Sequence, residues 1–195
     1  MKELVFATNN KHKLEEVSQI AGLCFKILSL DDIGCHDDIP ETADTLQGNA
    51  LLKARHIWEK YGKPCFADDT GLSVTALGGE PGVHTARFAG EHCSSEDNIT
   101  LLLAKLDGIA DRSARFSTVI ALCDENGVKT VEGHVDGSIA LEKEGTGGFG
   151  YDPVFIPDES GVCFAKMDSG QKNAISHRGR AMRAFIKILR LNTPE

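Results

Sequence analysis

The sequence lacks an apolar run that could cross a membrane, for which about 20 residues are needed. It also lacks the pattern of a signal peptide, because Lys2 and Glu3 precede only a short apolar run over residues 4–7. Positive charge is scarce, with 21 Lys and Arg against 29 Asp and Glu and a net charge of −8. Such a balance argues against broad nonspecific binding to nucleic acid. We therefore expect a cytoplasmic protein whose partner is neither a membrane nor a nucleic acid.

Zinc and disulfide patterns are missing as well. The six cysteines form no Cys-x-x-Cys pair, and no group of Cys and His has the spacing of a zinc site. Without a secretion signal, the cysteines are expected to be reduced thiols. The chain also lacks repeats, linkers and low-complexity segments, so its 195 residues are predicted to form a single domain over residues 1–195.

What the chain does contain is a mixture of strand and helix patterns. Apolar runs typical of strands cover residues 4–7, 26–29, 64–67, 114–123 and 128–135, and a further short strand is predicted over residues 137–141. Helical spacing of apolar residues marks residues 14–21, 45–61, 97–106 and 181–189. Asp44 and Gln47 resemble a capping box, and residues 124–127 predict a four-residue hairpin loop. These patterns together predict an α/β fold.

Residues 8–10 form a polar loop between the first strand and the first helix. Backbone amides at a helix N-terminus readily bind phosphate, and Lys11 and Lys13 add the local positive charge that an acidic protein needs to hold an anion. The loop is not a P-loop, because the Gly-x-x-x-x-Gly-Lys-Ser/Thr pattern is absent. The segment is therefore a candidate phosphate site of a different kind.

Asn49 and Lys53 lie four residues apart in the second predicted helix and so share one of its faces. Ala50, Ala54 and Ile57 are expected to pack inward. Lys53 is either an exposed charge, as lysines on helices usually are, or a contact to phosphate. The sequence leaves both interpretations open.

Two adjacent carboxylates follow the third predicted strand. The apolar run over residues 64–67 leads into Asp68-Asp69-Thr70-Gly71, which places the carboxylates at the carboxyl end of a strand, where open α/β sheets bind ligands. Neighbouring residues of a strand point to opposite faces, so one carboxylate is expected to face a metal or water while the other caps the turn. An ordinary turn without a catalytic role is the alternative.

The segment over residues 147–155, Gly-Gly-Phe-Gly-Tyr-Asp-Pro-Val-Phe, is the most informative stretch of the chain. Phe149 lies between glycines, and Asp152 precedes Pro153, which favours extended geometry and predicts an extended run over residues 153–156. A flat ring beside a fixed carboxylate suits a heteroaromatic base, because the ring stacks on the base and the carboxylate accepts a base N–H. The alternative is a tight turn with Phe149 folded onto the core.

A second informative motif, Ser176-His177-Arg178-Gly179, precedes the last helical pattern. Ser176 is predicted to be the N-cap. His177 and Arg178 then lie in the first turn, where the helix dipole disfavours positive charge. Two basic residues there indicate an electron-rich partner from outside the helix. Alternatively, the helix start is solvated and Arg178 pairs with a surface carboxylate.

Taken together, these motifs resemble the inosine/xanthosine triphosphate pyrophosphatase family, whose members remove non-canonical purine nucleotides. The resemblance is carried, in order and along nearly the whole chain, by residues 7–13, 49–54, 67–72, 145–155 and 176–179. Asn9 stands where the family often has Gly, and Thr70 stands where it often has Ser, which keeps the hydroxyl. The resemblance implies an elongated mixed α/β fold with two lobes flanking a deep central cleft, helices on the outside, and a homodimer. It also implies Mg²⁺-dependent hydrolysis of a nucleoside triphosphate to the monophosphate and pyrophosphate.

The resemblance further implies roles for individual residues. Asp69 would be the catalytic residue, which binds Mg²⁺ and accepts a proton from the attacking water, with Glu41 as a second metal ligand and Asp68 as a further candidate. The triphosphate would be held by Thr8, Asn9, Asn10, Lys11, His12, Lys13 and Lys53. The purine and its sugar-phosphate would be held by Thr70, Phe149, Gly150, Tyr151, Asp152, Lys172, His177 and Arg178, with Phe149 stacked on the base.

Base selection would follow from the 6-position of the purine. Hypoxanthine and xanthine present a keto oxygen and an N1–H there, whereas adenine presents an amino group and a bare N1. A site with cationic donors aimed at O6 leaves buried groups unpaired when adenine enters, which rejects adenine strongly. Guanine also carries O6, and no residue that would exclude its 2-amino group is evident from the sequence.

Three other functions are weighed against this one. A Maf-type nucleotide pyrophosphatase shares the architecture, but its N-terminal loop carries a Ser-rich, Arg-containing signature that residues 8–11 do not match. A catalytically silent nucleotide-binding module would not need Glu41, Lys53 and Asp69, all of which are present. A structural protein is the weakest alternative, because so many polar residues lie at predicted strand and helix ends.

Overall fold

The computed structural model describes residues 2–191, in which strands and helices alternate along the chain. The strands within this range are β1 Glu3–Phe6, β2 Lys26–Leu28, β3 Cys65–Val74, β4 Pro81–Gly82, β5 Ser113–Asp124, β6 Gly127–Ile139 and β7 Phe155–Pro157. The α-helices are α1 Lys11–Ala21, α2 Leu46–Tyr61, α3 Ser95–Lys105, α4 Ser169–Ile175 and α5 His177–Leu191. None of the helices between residues 2 and 191 has the length and apolar character that a membrane span requires.

The strands form one mixed sheet in the order β2-β1-β3-β5-β6-β7, with β4 paired to β3. β1 runs parallel to both β2 and β3, and Val5 lies opposite Cys65. β4 runs antiparallel to β3, and β7 runs antiparallel to β6. Parallel and antiparallel pairs in one sheet, with helices in the connections, confirm the predicted α/β fold with a mixed sheet.

The described chain divides into two compact units. Unit 1 contains residues 2–69, 118–133 and 178–191, and unit 2 contains residues 70–117 and 134–177. β3, β5 and β6 each supply residues to both units. The single domain and the central cleft that the sequence predicts stay predictions.

Alternating side chains of β1 and β3 divide the core of unit 1 into two layers. In the first layer, Leu4, Phe6 and Phe66 pack with apolar residues of α1 and α5, and the rings of Phe6 and Phe66 stack with centroids 4.6 Å apart. In the second layer, Val5 and Cys65 pack with apolar residues of α2. The position of a residue in β3 therefore decides which helices its side chain meets.

The core of unit 2 is rich in aromatic rings. Phe116 meets the ring of Phe155 at an angle, with centroids 4.7 Å apart, and Phe155 stacks on Phe164 at 5.4 Å. Tyr151 and Val154 belong to the same buried cluster. The glycine-rich segment that precedes β7 is therefore anchored in this core.

The start of α2 differs from its prediction. The N-cap is Thr45, whose side chain accepts a hydrogen bond from the backbone nitrogen of Gly48 at 3.0 Å. The predicted capping box of Asp44 and Gln47 is therefore wrong. Thr45 takes the role because its extended backbone, with φ −135° and ψ 152°, directly precedes the first helical residue.

The hairpin between β5 and β6 is tighter than predicted. β5 ends at Asp124 and β6 begins at Gly127, so two residues connect the strands instead of four. The carboxylate of Asp124 accepts a hydrogen bond from the backbone nitrogen of Asn126 at 2.9 Å, and Gly127 adopts a φ of 101°. These two features close the turn.

β6 continues without a break through Gly137, so the separate strand predicted over residues 137–141 is wrong. A Cβ atom at Gly137 would lie 2.3 Å from the backbone oxygen of Ile156 on β7. The glycine therefore permits the close approach of β7 and does not interrupt the strand.

Candidate active site

Two adjacent carboxylates lie in β3, just beyond the end of its neighbour β1. The parallel pairing extends to Phe6 opposite Phe66, and Asp68 and Asp69 follow on β3. The prediction that the carboxylates end the strand is wrong, because the residues beyond them pair with β4 and the strand continues to Val74. The carboxylates instead lie where β3 is no longer covered by β1.

The pleat of β3 sends the two carboxylates to opposite layers of unit 1. Asp68 accepts hydrogen bonds from Lys13 of α1 and Arg178 of α5, the helices of the first layer. Asp69 lies 3.6 Å from the ammonium of Lys53 on α2, the helix of the second layer. The expectation that the two side chains point to opposite faces is confirmed, but the expectation that one of them caps a turn is wrong, because β3 continues through both residues.

Asp68 is the centre of a buried charge network. Its carboxylate accepts from Lys13 Nζ at 3.0 Å and from Arg178 Nε at 3.1 Å, and Arg178 also donates to Glu16 at 2.5 Å. Burial alone would raise the pKa of Asp68, but the positive charges of Lys13 and Arg178 outweigh it and hold that pKa well below its usual range. Asp68 therefore stays ionised and acts as a counterion in the first layer.

Asp69 lies in a smaller cluster with Lys53 and Glu41. The ammonium of Lys53 lies 2.5 Å from Glu41 Oε1 and 3.6 Å from Asp69 Oδ1. Lys53 is only 9% exposed, so the alternative of an exposed surface charge is wrong. Oδ2 of Asp69 is buried and has no hydrogen-bond partner within residues 2–191. The cluster therefore contains a carboxylate oxygen whose hydrogen-bonding capacity the described residues leave unused.

The proton affinities of this cluster suit general-base chemistry. Burial raises the pKa of Asp69 against the opposing effect of the Lys53 charge. Burial would lower the pKa of Lys53, but the neighbouring carboxylates outweigh it and raise that pKa. A carboxylate with a raised pKa accepts a proton more readily than an ordinary one, while the lysine stays charged.

The candidate metal ligands are two carboxylates and not a larger cluster. Between residues 2 and 191, no group of three or more His, Cys, Asp or Glu side chains is arranged to hold a metal ion. Glu41 and Asp69 are nevertheless brought together around Lys53. Mg²⁺ typically uses one or two carboxylates together with water and phosphate oxygens, so the donor set is compatible with it.

The residues predicted to hold phosphate surround the N-terminus of α1. Asn10 is the N-cap and accepts from the backbone nitrogen of Lys13 at 3.2 Å, and Thr8 accepts from the backbone nitrogen of Asn10 at 3.1 Å. The Lys13 side chain turns toward Asp68. The side chain of His12 is 63% exposed and lies 3.9 Å from Glu15. The remaining predicted residues of this segment, Asn9 and Lys11, are exposed at the same helix start.

Unit 2 contains a separate cluster around Asp152. Its buried carboxylate accepts from Lys172 Nζ at 2.6 Å and from the backbone nitrogen of Phe149 at 2.8 Å. The Lys172 ammonium also lies 4.7 Å from the centre of the Phe149 ring, where a cation is attracted by the ring face. Phe149 is only partly buried, so the alternative in which its ring folds onto the core is not what the fold adopts.

The backbone around Asp152 differs from its prediction. Residues 151–154 form a turn, in which the backbone nitrogens of Val154 and Phe155 donate to the backbone oxygen of Tyr151 at 3.0 and 3.1 Å. The extended run predicted over residues 153–156 is therefore wrong, since β7 begins at Phe155. Gly148, which precedes this turn, has to be a glycine: its φ is 71°, and a Cβ would lie 2.0 Å from Asp152 Oδ2.

The two basic residues at the start of α5 are buried and engaged by the protein. His177 stacks on Phe116 with ring centroids 4.6 Å apart, and Arg178 donates to Asp68 and Glu16. Arg178 therefore has the electron-rich partners from outside the helix that the sequence predicts, and these partners are carboxylates of the protein itself. The alternative of a solvated helix start is wrong. Ser176 ends α4 with an extended backbone and directly precedes α5, and its capping of α5 stays a prediction.

The other predicted base-site residues have different surroundings. Tyr151 is buried, and its hydroxyl donates to the backbone oxygen of Thr85 at 2.8 Å. Its side chain therefore holds unit 2 together, and burial raises its pKa. Thr70 is half-buried on β3, next to Asp69 in sequence. Gly150 adopts a φ of 59°, and a Cβ there would meet no atom within 4 Å.

Several residues of these clusters have little or no local signal in the sequence. Glu16 lies three residues after Lys13 on α1, so helical spacing was the available signal for its place in the network. Phe116 and Phe164, which lie beside His177, had no local signal, because each reaches the histidine through the tertiary fold.

The chain is similar to a large set of curated relatives. The model of the Ham1 family matches residues 4–188. The chain is 55% identical to the dITP/XTP pyrophosphatase of Porphyromonas gingivalis, covering 93% of this chain and 94% of that protein. It is 50% identical to that of Flavobacterium psychrophilum, covering 96% and 99%. The Ham1 protein of Staphylococcus aureus has a similar structure, with a TM-score of 0.89, 37% identity, and coverage of 98% and 100%. The chain therefore belongs to the Ham1 family.

Proposed function

We propose that this protein hydrolyses non-canonical purine nucleoside triphosphates, namely ITP, dITP and XTP, to the monophosphate and pyrophosphate. The observation that carries the proposal is the buried, unpartnered oxygen of Asp69 beside Lys53 and Glu41. The relatives from Porphyromonas gingivalis and Flavobacterium psychrophilum are named dITP/XTP pyrophosphatases, which supports this substrate class. Such an enzyme removes unwanted purine nucleotides from the nucleotide pool.

Mg²⁺ is the proposed cofactor, held by Asp69 and Glu41. The unpartnered Asp69 oxygen supports this assignment, because buried polar atoms are nearly always satisfied by some partner. When bound, the ion would neutralise phosphate charge and make the attacking water more acidic. Asp69 accepts the proton of that water, and Lys53 keeps its charge beside it to stabilise the ionised carboxylate. Asp68 takes no part in the metal site in this proposal, because it is engaged with Lys13 and Arg178.

The triphosphate is assigned to the basic residues of unit 1. Lys13 and Lys53 each lie beside a β3 carboxylate, and the N-terminus of α1 offers backbone amides of the kind that bind phosphate. Thr8, Asn9, Asn10, Lys11 and His12 complete this proposed phosphate-binding segment. The net charge of −8 makes such a local concentration of positive charge necessary.

The purine is assigned to the unit 2 cluster and the start of α5. Phe149 offers a partly exposed ring on a glycine-flanked turn, and the Asp152–Lys172 pair fixes that turn. His177 is the proposed donor to the O6 acceptor of hypoxanthine or xanthine, with Thr70, Gly150 and Tyr151 in supporting positions, whereas the predicted base contact of Arg178 is replaced by its bonds to Asp68 and Glu16. A base without that acceptor would leave donors unpaired, which favours keto purines over adenine.

The proposal is tested with a panel of purine triphosphates. Purified protein is expected to release pyrophosphate from ITP, dITP and XTP in a reaction that stops when EDTA removes Mg²⁺, and to act far more slowly on ATP. A catalytically silent nucleotide-binding module would bind ITP without releasing pyrophosphate. A Maf-type enzyme would prefer other nucleotides in the same panel, and either result would overturn the proposal.

A cytoplasmic homodimer is the proposed state of the enzyme. The dimer is proposed from the resemblance to the nucleotide pyrophosphatases. The cytoplasmic location is proposed from the cysteines, which are free thiols in the described structure. Sedimentation equilibrium of the purified protein tests the dimer, and a mass of one chain would contradict it.

A further inference from the structure

A buried asparagine on α2 carries an amide that the fold satisfies only in part. Asn49 is fully buried, and its Oδ1 accepts a hydrogen bond from the backbone nitrogen of Ala43 at 2.9 Å. Its Nδ2 has no hydrogen-bond partner within residues 2–191. The orientation of the amide is fixed, because a backbone N–H requires an acceptor opposite it. A buried donor without a partner is an exception that calls for an explanation.

Asn98 provides an internal comparison in unit 2. It is also a buried asparagine on a helix that holds a neighbouring loop. Its Oδ1 accepts from the backbone nitrogen of Ala89 at 2.8 Å, and its Nδ2 donates to the backbone oxygen of Ala86 at 3.1 Å. Both halves of this amide are therefore satisfied. An asparagine that only supports a loop can be fully paired in this fold, which sets Asn49 apart.

The loop that Asn49 holds carries Glu41. Ala43, which is bonded to Asn49, follows Glu41 by two residues, and Glu41 itself is bonded to Lys53, one helical turn after Asn49. Gly48 lets the loop lie against the first turn of α2, because a Cβ there would come within 2.5 Å of Ala43 Cβ. The loop is thus fastened to α2 at Glu41 itself and two residues later at Ala43.

We propose that Asn49 is a positioning residue of the metal site, which sets Glu41 beside Asp69 and Lys53 through the backbone nitrogen of Ala43. The inference rests on the proposed function, in which Glu41 and Asp69 hold Mg²⁺. The fold retains an unpaired donor at Asn49 in order to keep the acceptor that faces Ala43. Such local exceptions are typical of places where function overrides packing rules. Residues that orient metal ligands typically change metal affinity by about 10- to 100-fold when they are lost.

The test compares Asn49→Ala with Asn98→Ala as a matched control. Mn²⁺ replaces Mg²⁺ as the probe and is titrated into protein that is saturated with the α,β-methylene analogue of ITP, which cannot be cleaved between the α- and β-phosphates. The electron paramagnetic resonance signal of free Mn²⁺ gives the affinity, and thermal unfolding gives the stability. Asn49→Ala is expected to weaken Mn²⁺ binding by about 10-fold or more. Asn98→Ala is expected to lower the melting temperature while leaving Mn²⁺ binding within about twofold of wild type, because it lies outside the metal site.

Two further variants keep the inference falsifiable if Asn49→Ala does not fold. Ala43→Pro removes the same hydrogen bond from the donor side, because proline has no backbone N–H, and is expected to weaken Mn²⁺ binding as Asn49→Ala does. Asn49→Asp keeps an acceptor for Ala43 and is expected to bind Mn²⁺ at least as tightly as wild type. Wild-type Mn²⁺ affinity in Ala43→Pro or Asn49→Ala, or equal losses in Asn49→Asp and Asn49→Ala, would overturn the positioning role.

The outcomes also separate this inference from the proposed function. Wild-type protein that releases pyrophosphate from ITP, together with Asn49 and Ala43 variants of unchanged Mn²⁺ affinity, would refute the positioning role alone. Wild-type protein that neither binds Mn²⁺ nor cleaves ITP would overturn the proposed function and this inference with it.

Discussion

Arg178 and Asp68 form an ion pair across 3.1 Å in which each side chain is only 2% exposed. Arg178 also donates to Glu16, so two carboxylates from other elements balance the positive charge at the start of α5. Lys13 adds a second cation to the Asp68 carboxylate. Removing one member of such a network leaves a buried charge without compensation, which is far more costly than the net gain from the intact pair.

The first prediction concerns the stability that depends on this pair. Asp68→Asn and Arg178→Gln are each expected to lower the free energy of unfolding by about 3–5 kcal/mol, because each leaves a buried charge uncompensated. The double variant should lose less than the sum, since the two residues share one network. Urea unfolding at pH 7 measures all three. Arg115→Gln, which breaks an exposed pair with Asp136, serves as the control and should cost less than about 1 kcal/mol.

The stability lost in Asp68→Asn should also depend on pH. The pKa of Asp68 is lowered in the folded protein, so its contribution to stability is present above the unfolded pKa of about 3.9 and is lost as the pH falls through the folded value. The difference in stability between wild type and Asp68→Asn should therefore be largest above about pH 5 and shrink in more acidic solution. A difference that grows on acidification would contradict the assigned charge state.

The second prediction concerns the other carboxylate of β3. Asp69→Asn is expected to reduce turnover of ITP by on the order of 10²–10⁴-fold, because the general base is lost, while nucleotide binding persists. Pyrophosphate release at saturating Mg²⁺ and equilibrium binding of an ITP analogue measure the two effects. Turnover above about a tenth of wild type, well outside that range, would show that another group accepts the proton. Asp136→Asn, an exposed aspartate in unit 2, should leave turnover unchanged.

The third prediction concerns Lys53. Lys53→Met keeps much of the packing on α2 but removes a charge that lowers the pKa of Asp69. That pKa should therefore rise, and the fall of kcat/KM on the acid side of the pH profile should move to higher pH. Binding and turnover of the triphosphate should fall far more than the stability of the fold. Lys105→Met, an exposed lysine paired with Glu80, should keep the wild-type profile. A large fall in melting temperature with unchanged kinetics would instead make Lys53 a structural residue.

The fourth prediction separates residues that bind any purine base from residues that recognise its 6-position. Phe149→Ala should weaken the binding of ITP and of ATP alike, by roughly 1–3 kcal/mol, because every purine has a face that stacks. His177→Ala should lower kcat/KM for ITP more than for ATP, by about 10- to 150-fold if a hydrogen bond worth roughly 1.5–3 kcal/mol is lost. The ratio of kcat/KM for the two substrates in each variant is the measurement. Equal losses in His177→Ala would place base selection in other residues.

The fifth prediction uses the two glycines that flank Phe149. Gly148 and Gly150 both have positive φ, but only at Gly148 would a Cβ collide with Asp152, at 2.0 Å. Gly150→Ala should cost about 1–2 kcal/mol from backbone strain alone. Gly148→Ala should carry that strain and also displace Asp152 from Lys172 and from the Phe149 amide. Its kcat/KM for ITP should therefore fall much further than that of Gly150→Ala. Matching losses in both variants would mean that the Asp152 contacts do not support activity.

The sequence best predicts those features that depend on residues close together in the chain. Helical spacing placed Asn49 and Lys53 on one face of α2, and strand alternation placed Asp68 and Asp69 on opposite faces of β3, as the fold confirms. The clusters around Asp69 and Asp152 each contain a segment whose motif is recognisable without any tertiary contact. The α/β fold followed from the same local patterns.

The sequence predicted least where distant residues decide the outcome. Arg178 lies 110 residues from Asp68 and 162 residues from Glu16, so no local pattern names these partners. The geometry around Asp152 is another example: the preference imposed by Pro153 favours an extended backbone, but Tyr151, bonded to Thr85 across 66 residues, anchors a turn instead. Local preferences gave way to tertiary contacts in both places.

The pleat that separates Asp68 from Asp69 also separates two ways in which substitutions at these neighbouring positions would harm a cell. A change at position 68 acts on the buried ion network, so it should lower the amount of folded protein that escapes degradation. A change at position 69 acts on a carboxylate oxygen that no other residue in the described chain engages, so it should leave abundance near normal and remove activity per molecule. A saturation library scored once for abundance and once for activity should therefore assign these adjacent codons to different classes of defect.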